Sequence, residues 1–166
     1  MSQENINGGA ALDALLQSLP QKLETNIMRS ALRAGAAVYL AQVKQNIPVE
    51  HGDLRASARI TTKKNRDGSV SASVKVGNRQ AFYAQMVEFG TRPHVIAPRA
   101  GGLQINGQFV GGAVEHPGSR PRPFMRPAAD AQFSAAVAAV QKKVRDRLRA
   151  QGLDVPDPPL LGEDEA

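Results

Sequence analysis

The stretch QKLETNIMRSALRAGAAVYLAQVKQN, residues 21–46, decides the fold because it predicts one long amphipathic helix. Its middle, from Ala31 to Ala41, is largely alanine and glycine, so another backbone can approach it closely. Pro48 predicts the end of the helix, since the residue before a proline is pushed out of the helical region. The apolar residues of the stretch recur at three- and four-residue steps and share one stripe: Leu23, Ile27, Ala31, Ala34, Val38 and Ala41.

A second long helix is predicted near the other end of the sequence, from about Pro123 to Ala150. Its last turns are rich in lysine and arginine, which suit the negative end of a helix dipole. Its predicted apolar stripe contains Met125, Ala129, Phe133, Val137, Val140, Val144 and Leu148.

Short strands and one short helix are predicted between the two long helices. Residues 57–63 and 70–76 resemble a hairpin, with the turn at Asn65–Gly68. Residues 80–89 predict a short helix that buries Phe82, Met86 and Phe89 against the sheet and stops at Gly90. The Gly- and Pro-rich stretch 92–123 holds further short strands. We therefore expect an α+β fold, in which long N-terminal and C-terminal helices pack on a small, mainly antiparallel sheet with a short helix between strands.

The composition and the charge distribution predict one small domain with polar ends. Of the 166 residues, 42% are apolar and only 4% aromatic, so we expect a single modest core over residues 11–150. Residues 1–10 are predicted to be a disordered leader, and residues 151–166 a flexible acidic tail. The tail holds five acids and no base, whereas residues 1–150 hold 21 bases against 10 acids. The positive charge of residues 1–150 is compatible with binding to nucleic acid, with binding to an acidic protein surface, or with a role in solubility alone.

Several classes of function are disfavoured by what the sequence lacks. It has no cysteine, and none of its apolar stretches approaches the roughly 18–20 residues that cross a bilayer. His51, His94 and His116 lack the short spacings that place two ligands on one metal. Nucleophile and phosphate-binding motifs are missing as well. We therefore expect no enzyme activity, no cofactor, no metal and no membrane contact.

Two segments carry a resemblance to a known family: YAQMVEFGT, residues 83–91, and HPGSRPRPFMRPA, residues 116–128. Two others agree with it: ALRAGAAV from Ala31, and PVEHGDLRAS from Pro48, in which His51 stands where the family usually has threonine. In this order and spacing, the segments resemble the neck or tail-completion family of siphophages and prophages, whose members are head–tail joining or minor tail components. The resemblance covers roughly residues 20–150.

The resemblance implies a structural virion protein that assembles as a ring in the neck or upper tail and joins or completes the tail at the head–tail interface. Its partners would be further copies of itself and neighbouring connector, terminator or tail-tube proteins, with passing contact with DNA left open. It would be made in the host bacterial cytoplasm and located in the virion. The alternatives are a tail terminator or head-closure protein of the same machine and, from a different class, a small basic nucleic-acid-binding protein.

Five charged residues are candidates for an assembly interface: Glu88, Arg92, Arg120, Arg122 and Arg126. The last three lie on a proline-stiffened approach to the second long helix, where forked guanidinium donors are pre-set to bind carboxylates or phosphates. They could pair with acids of the same surface, contact another subunit or bind nucleic acid. Glu88 lies at the end of the short helix, where the dipole disfavours an acid. We therefore expect it to have a basic partner, either Arg92 or an arginine of a neighbouring copy.

Overall fold

The computed structural model describes residues 21–98, 103–105 and 107–153. The predicted leader, residues 1–10, lies outside this range. The elements follow in this order: α1 Gln21–Asn46, α2 Asp53–Ser57, β1 Arg59–Lys64, β2 Val70–Lys75, α3 Ala84–Phe89, β3 His94–Ile96, β4 Leu103–Ile105, β5 Gln108–Val110, β6 Val114–His116 and α4 Met125–Arg149.

The α+β class is confirmed, with long helices in the N- and C-terminal parts of the chain and short strands between them. The chain divides into two compact units. The first unit contains residues 1–40, 60–74 and 132–166, and the second contains residues 41–59 and 75–131. The assignment of residues 11–150 to a single domain stays a prediction.

The core of the first unit is a contact between α1 and α4. Ile27 and Ala31 of α1 form one buried cluster with Val144 and Leu148 of α4. The two helices come closest at Gly35, where an added Cβ would lie 2.6 Å from Val140 Cγ2 and 3.0 Å from the carbonyl oxygen of Ala136. The prediction that the small residues of α1 admit another backbone is confirmed.

The predicted stripe of α4 is right in its C-terminal half and wrong in its N-terminal half. Val144 and Leu148 are buried, but Ala129 and Phe133 are exposed. Within α4 the buried residues nearer the helix start are alanines, and they occupy the four-residue row to which Val144 and Leu148 also belong. The predicted stripe followed the large side chains of Met125 and Phe133, which lie one residue further along the sequence than the positions of the buried row. The buried residues of the row are Phe124, Ala128, Ala136, Val144 and Leu148.

The described strands pair two by two and do not form one sheet. β1 pairs with β2 in the first predicted hairpin. In its turn, Asp67 accepts hydrogen bonds from the hydroxyl and the backbone N–H of Ser69 at 2.7 and 2.9 Å. These bonds lower the pKa of the Asp67 carboxyl, the side-chain bond most strongly.

The other two strand pairs are antiparallel, and in the sequence one pair lies between the two strands of the other. β3 pairs with β6, with His94 opposite His116 and Ile96 opposite Val114. β4 pairs with β5 between them, with Leu103 opposite Val110. The short strands predicted in the Gly- and Pro-rich stretch are therefore present, and β3 and β6 bring the two ends of that stretch together.

The short helix is confirmed as α3, but the prediction that it buries Phe82, Met86 and Phe89 is wrong. These side chains are 71%, 49% and 61% exposed, whereas the buried residues of the helix are Ala84 and Glu88. The inward face carries small or polar groups because other backbone segments approach it closely. The carbonyl oxygen of Val87, for example, accepts a hydrogen bond from the N–H of Arg122 at 2.8 Å.

Helix α4 ends in a Schellman motif formed by residues that the sequence assigned to the flexible tail. The N–H of Gly152 donates to the carbonyl of Arg149 at 2.9 Å, and the N–H of Leu153 donates to that of Leu148 at 3.2 Å. Gly152 has a φ of 76°, which glycine adopts without strain. Leu153 also packs on the cluster around Leu148. Residues 151–153 therefore belong to the helix end, and residues 154–166 lie outside the described range.

We expect a chain that ends at Leu153 to melt like the full-length protein, and a chain that ends at Gln151 to be less stable. The shorter chain loses two capping hydrogen bonds and the packing of Leu153, together about 1–2 kcal/mol of unfolding free energy. Both truncations remove the same five acids, so comparing their thermal unfolding by circular dichroism separates the cap from the charge. Equal midpoints for the two chains would contradict this role of the cap.

Candidate assembly surface

The buried carboxylate of Glu88 binds the N-terminal end of α4. The N–H groups of Phe124 and Met125 donate to Glu88 Oε2 at 2.7 and 3.0 Å, and that of Arg126 donates to Oε1 at 3.4 Å. Only 4% of Glu88 is exposed. We call this arrangement the Glu88 clamp.

The clamp satisfies every backbone donor at the start of α4. The first four N–H groups of a helix have no partner inside the helix. At this helix end the four positions are residues 124–127, and the fourth is Pro127, which has no N–H to satisfy. A carboxylate placed against a helix N-terminus also interacts favourably with the helix dipole. One side chain, 36 residues away in the sequence from Phe124, therefore caps α4.

The clamp also accounts for the positive partner that the sequence predicts for Glu88. That partner is the N-terminal end of α4, supplemented by Arg126, whose Nε lies 3.9 Å from Glu88 Oε1. Because 70% of the Arg126 side chain is exposed, this ion pair contributes little beside the three backbone hydrogen bonds. Arg92, the candidate named from the sequence, contacts the second motif through its backbone, which lies against Gly118.

Further contacts join the two motif segments on which the family resemblance rests. The backbones of Thr91 and Ser119 exchange two N–H to O=C hydrogen bonds of 3.0 and 3.1 Å, and their hydroxyl groups lie 3.1 Å apart. Gly90 and Gly118 both have positive φ, and a Cβ on either one would collide with the opposite segment. The glycines therefore permit a backbone approach that no side chain would fit, which explains their place in the two motifs.

Three large apolar side chains lie exposed around α3, on the solvent side of the clamp: Phe82, Met86 and Phe89. The ring of Phe82 meets that of Tyr83 edge to face, with centroids 5.9 Å apart. The guanidinium of Arg126 lies 5.3 Å from the centroid of the Phe89 ring, a cation–π arrangement. We call the surface formed by Phe82, Met86 and Phe89, together with Arg120 and Arg122, the α3 face.

A groove of about 460 Å³ adjoins the α3 face within the second unit. One wall is formed by the PVEHGDL segment, residues 48–54, and another by Tyr83, Met86 and Val87. Arg120 and Arg122 line the third side, beside Ser119. Three of the four segments that carry the family resemblance thus meet around one groove. The lining is mixed, with apolar residues such as Val49 and Met86 beside the charged residues Glu50, Arg120 and Arg122. Such a groove suits an apolar side chain flanked by charged residues on another protein.

The structure brings Arg120 and Arg122 to the groove and Arg126 to the clamp, while the carboxylate of Glu88 is turned inward. Sequence reasoning missed Tyr83, Met86 and Val49 as groove residues. The signal was the resemblance itself, which includes PVEHGDLRAS. Sequence reasoning also missed that His94 and His116 are opposite in β3 and β6, with ring centroids 5.0 Å apart. Within the described ranges, no cluster of three or more His, Asp or Glu side chains is placed to hold a metal ion.

Replacing Glu88 with glutamine should lower the unfolding free energy by about 1–3 kcal/mol, because the helix end loses its charged acceptor and the amide NH₂ cannot accept. Glu115 is an exposed glutamate of β6, and the same change there should cost less than about 0.5 kcal/mol. Chemical denaturation of the two variants measures the difference. Equal stabilities would mean that the clamp does not hold the fold.

Replacing Gly118 with alanine should destabilise the protein by at least about 1–2 kcal/mol from the left-handed backbone alone, and by more from the collision with Thr91. Gly112 offers the matched control, since nothing lies within 4 Å of a Cβ there and its φ is not positive. Thermal unfolding of G118A and G112A compares them. A G118A protein as stable as G112A would contradict the close approach of the two motifs.

In the comparison with known proteins, one family model matches the chain. The model of the family described as "Bacteriophage HK97-gp10, putative tail-component" matches residues 10–90, just under half of the chain. The match includes α1, the PVEHGDL segment and most of YAQMVEFGT, and it ends before the second motif. Neither the curated proteins nor the solved structures give a significant match. No helix among the described residues is long and apolar enough to span a membrane. The resemblance found in the sequence is thus confirmed over residues 10–90, where the chain is similar to the HK97-gp10-like family of putative phage tail components.

Proposed function

We propose that this protein is a non-catalytic virion component of a long-tailed phage or prophage, which assembles as a ring in the neck or upper tail. In that position it joins or completes the tail at the head–tail interface. The observation that carries the proposal is the α3 face with its groove. Its exposed phenylalanines and methionine lie within the residues that match the tail-component family, and Arg120 and Arg122 line the groove beside them.

The composition of the α3 face is that of a protein interface. Aromatic residues, methionine and arginine are enriched in the buried centres of interfaces, and lysine and glutamate are depleted there. Phe82, Met86 and Phe89 lie within eight residues of one another and are each about half or more exposed. Covering them with another subunit would remove apolar surface from water, at about 25 cal/mol for each Å². The assembled state therefore supplies the burial that the isolated chain does not.

The clamp supports this proposal because it fixes the face before any partner binds. Phe124 is 1% exposed and anchors the start of α4, while the hydrogen bonds at Val87 and Thr91 fix the preceding segment. A surface that is already ordered loses less conformational entropy on association. In this proposal Glu88 serves the interface by holding the start of α4, where Arg126 lies, and Arg120 and Arg122 pair with acids of the neighbouring subunit.

The contact between copies would be head-to-tail, because rings form from heterologous interfaces that close. The α3 face of one copy would bind a different, acid-bearing surface of the next copy or of an adjacent connector, terminator or tail-tube protein. A tail terminator or head-closure role in the same machine would use the same face with a different neighbour. In each case the protein is made in the host cytoplasm and ends in the virion.

Replacing Arg120, Arg122 and Arg126 together with glutamine should leave the fold intact and reduce the yield of joined, infectious particles at least tenfold. The reason is that desolvated guanidinium–carboxylate pairs at an interface contribute far more than the roughly 0–1 kcal/mol of exposed pairs. The matched control changes Lys63, Lys64 and Arg66 of the β1–β2 hairpin to glutamine, which removes the same charge in the first unit.

The melting temperature of the isolated protein is measured beside particle yield for both variants. Normal joining by the arginine variant would refute the proposed interface. A collapsed melting temperature would show that the arginines serve the fold, and equal losses in both variants would show that only net charge matters.

A further inference from the structure

The first unit has a groove of its own, lined by three arginines. It has a volume of about 550 Å³ and lies among the N-terminal half of α1, β1 and the end of α4. Arg29 and Arg33 come from α1 and Arg147 comes from α4. No acid occurs among the described residues that line it. We call it the arginine groove.

The arginines are held close together at a cost to the isolated protein. Arg29 and Arg33 are four residues apart and so occupy neighbouring positions on one face of α1, where like charges destabilise a helix by about 0.2–0.5 kcal/mol. Arg147 is anchored through its Nε, which donates to the Ser30 hydroxyl at 3.3 Å. A multivalent anion in the groove would remove this repulsion. The arrangement is therefore suited to a ligand that carries more than one negative charge.

Apart from the apolar Leu23 and Ile27, the remaining lining residues fit phosphate. They include the amides of Asn26 and Gln151 and the hydroxyl groups of Ser30 and Thr62. Together with arginine, these are the side-chain types that contact phosphate oxygens in protein–DNA complexes. No aromatic ring on which an unpaired base could stack occurs among the lining residues that the structure describes, which favours a duplex over a single strand.

The whole of the first unit adds to the attraction. Its described residues, 21–40, 60–74 and 132–153, contain eleven lysines and arginines against three acids. An excess of this size on a small unit creates a field that concentrates polyanions near the surface. A phosphate chain meets both the groove and the surrounding lysines, whereas a single small anion meets only the groove.

We propose that the arginine groove binds the phosphate backbone of double-stranded DNA without reading its sequence. The guanidinium groups of Arg29, Arg33 and Arg147 each neutralise a phosphate, and the amides and hydroxyl groups complete the contacts. The inference does not depend on the ring, because it rests only on residues of the first unit. It assigns to the chain a second binding function beside the assembly role of the α3 face.

The test measures the affinity of the full-length protein for a fluorescent 30-base-pair duplex at several sodium chloride concentrations. Sequence-independent binding is expected, with a Kd of roughly 10⁻⁴–10⁻⁶ M near physiological salt and a linear fall of log K with log salt. Changing Arg29, Arg33 and Arg147 to glutamine should reduce the salt slope by about two to three, since each lost phosphate contact reduces it by nearly one.

Two controls separate the groove from net charge and from folding. The variant with Arg120, Arg122 and Arg126 changed to glutamine loses the same charge from the second unit and should retain most of the affinity. Changing Arg29, Arg33 and Arg147 to lysine keeps the charge and should also retain binding if the fold is intact, which the melting temperature of every variant checks.

Three results would overturn the proposal. One is the absence of duplex binding at low salt, and another is an equal loss of affinity in the two glutamine variants. The third is that a synthetic peptide of residues 154–166, which carries five acids, binds to the groove and the duplex does not.

Discussion

The packing of the second unit depends on one buried carboxylate. Glu88 is buried at the end of α3, yet its partners are the three N–H groups that begin α4. A buried charge is stable only when hydrogen bonds and opposite charge replace water, and a helix N-terminus supplies both. The same bonds fix where α4 starts, bury Phe124 and bring the two motif segments side by side. Removing the carboxylate leaves donors without acceptors at a position that water reaches poorly.

This constraint explains why the apolar residues of α3 point outward. The inner face of the short helix is occupied by the Glu88 carboxylate, by the Val87 carbonyl and by small residues against a closely approaching backbone. Large side chains have room only on the opposite face. Around α3 the second unit therefore holds a buried polar contact under an exposed apolar surface, whereas Val43, Ile47 and Leu54 of the same unit are buried in the usual way. An exposed apolar patch of this kind is typical of a binding surface.

Local sequence patterns predicted the helices and strands well. They did not predict the contacts between residues that are distant in the sequence. The bounds of α1 and the β1–β2 hairpin follow from periodicity and turn residues within a few positions. The partner of Glu88 could not be predicted in this way, because Glu88 and Phe124 are 36 residues apart in the sequence. A carboxylate also fits an arginine and a helix N-terminus equally well. The exposure of Phe82 and Phe89 was missed for a related reason: an apolar pattern shows that a face is to be covered, but not whether the cover comes from the same chain.

The pairing of β3 with β6 determines where this protein can change without harm. Because Ile96 lies opposite Val114, the two ends of the segment between β3 and β6 meet at one place within the second unit. The intervening segment can grow or shrink while its two ends stay joined, and each doubling of a flexible loop costs only about 0.6 kcal/mol. The Gly90–Ser119 contacts beyond the strand pair would remain in register. Length variation among related tail components is therefore expected between residues 97 and 113, where a chain can acquire new surface for a different neighbour.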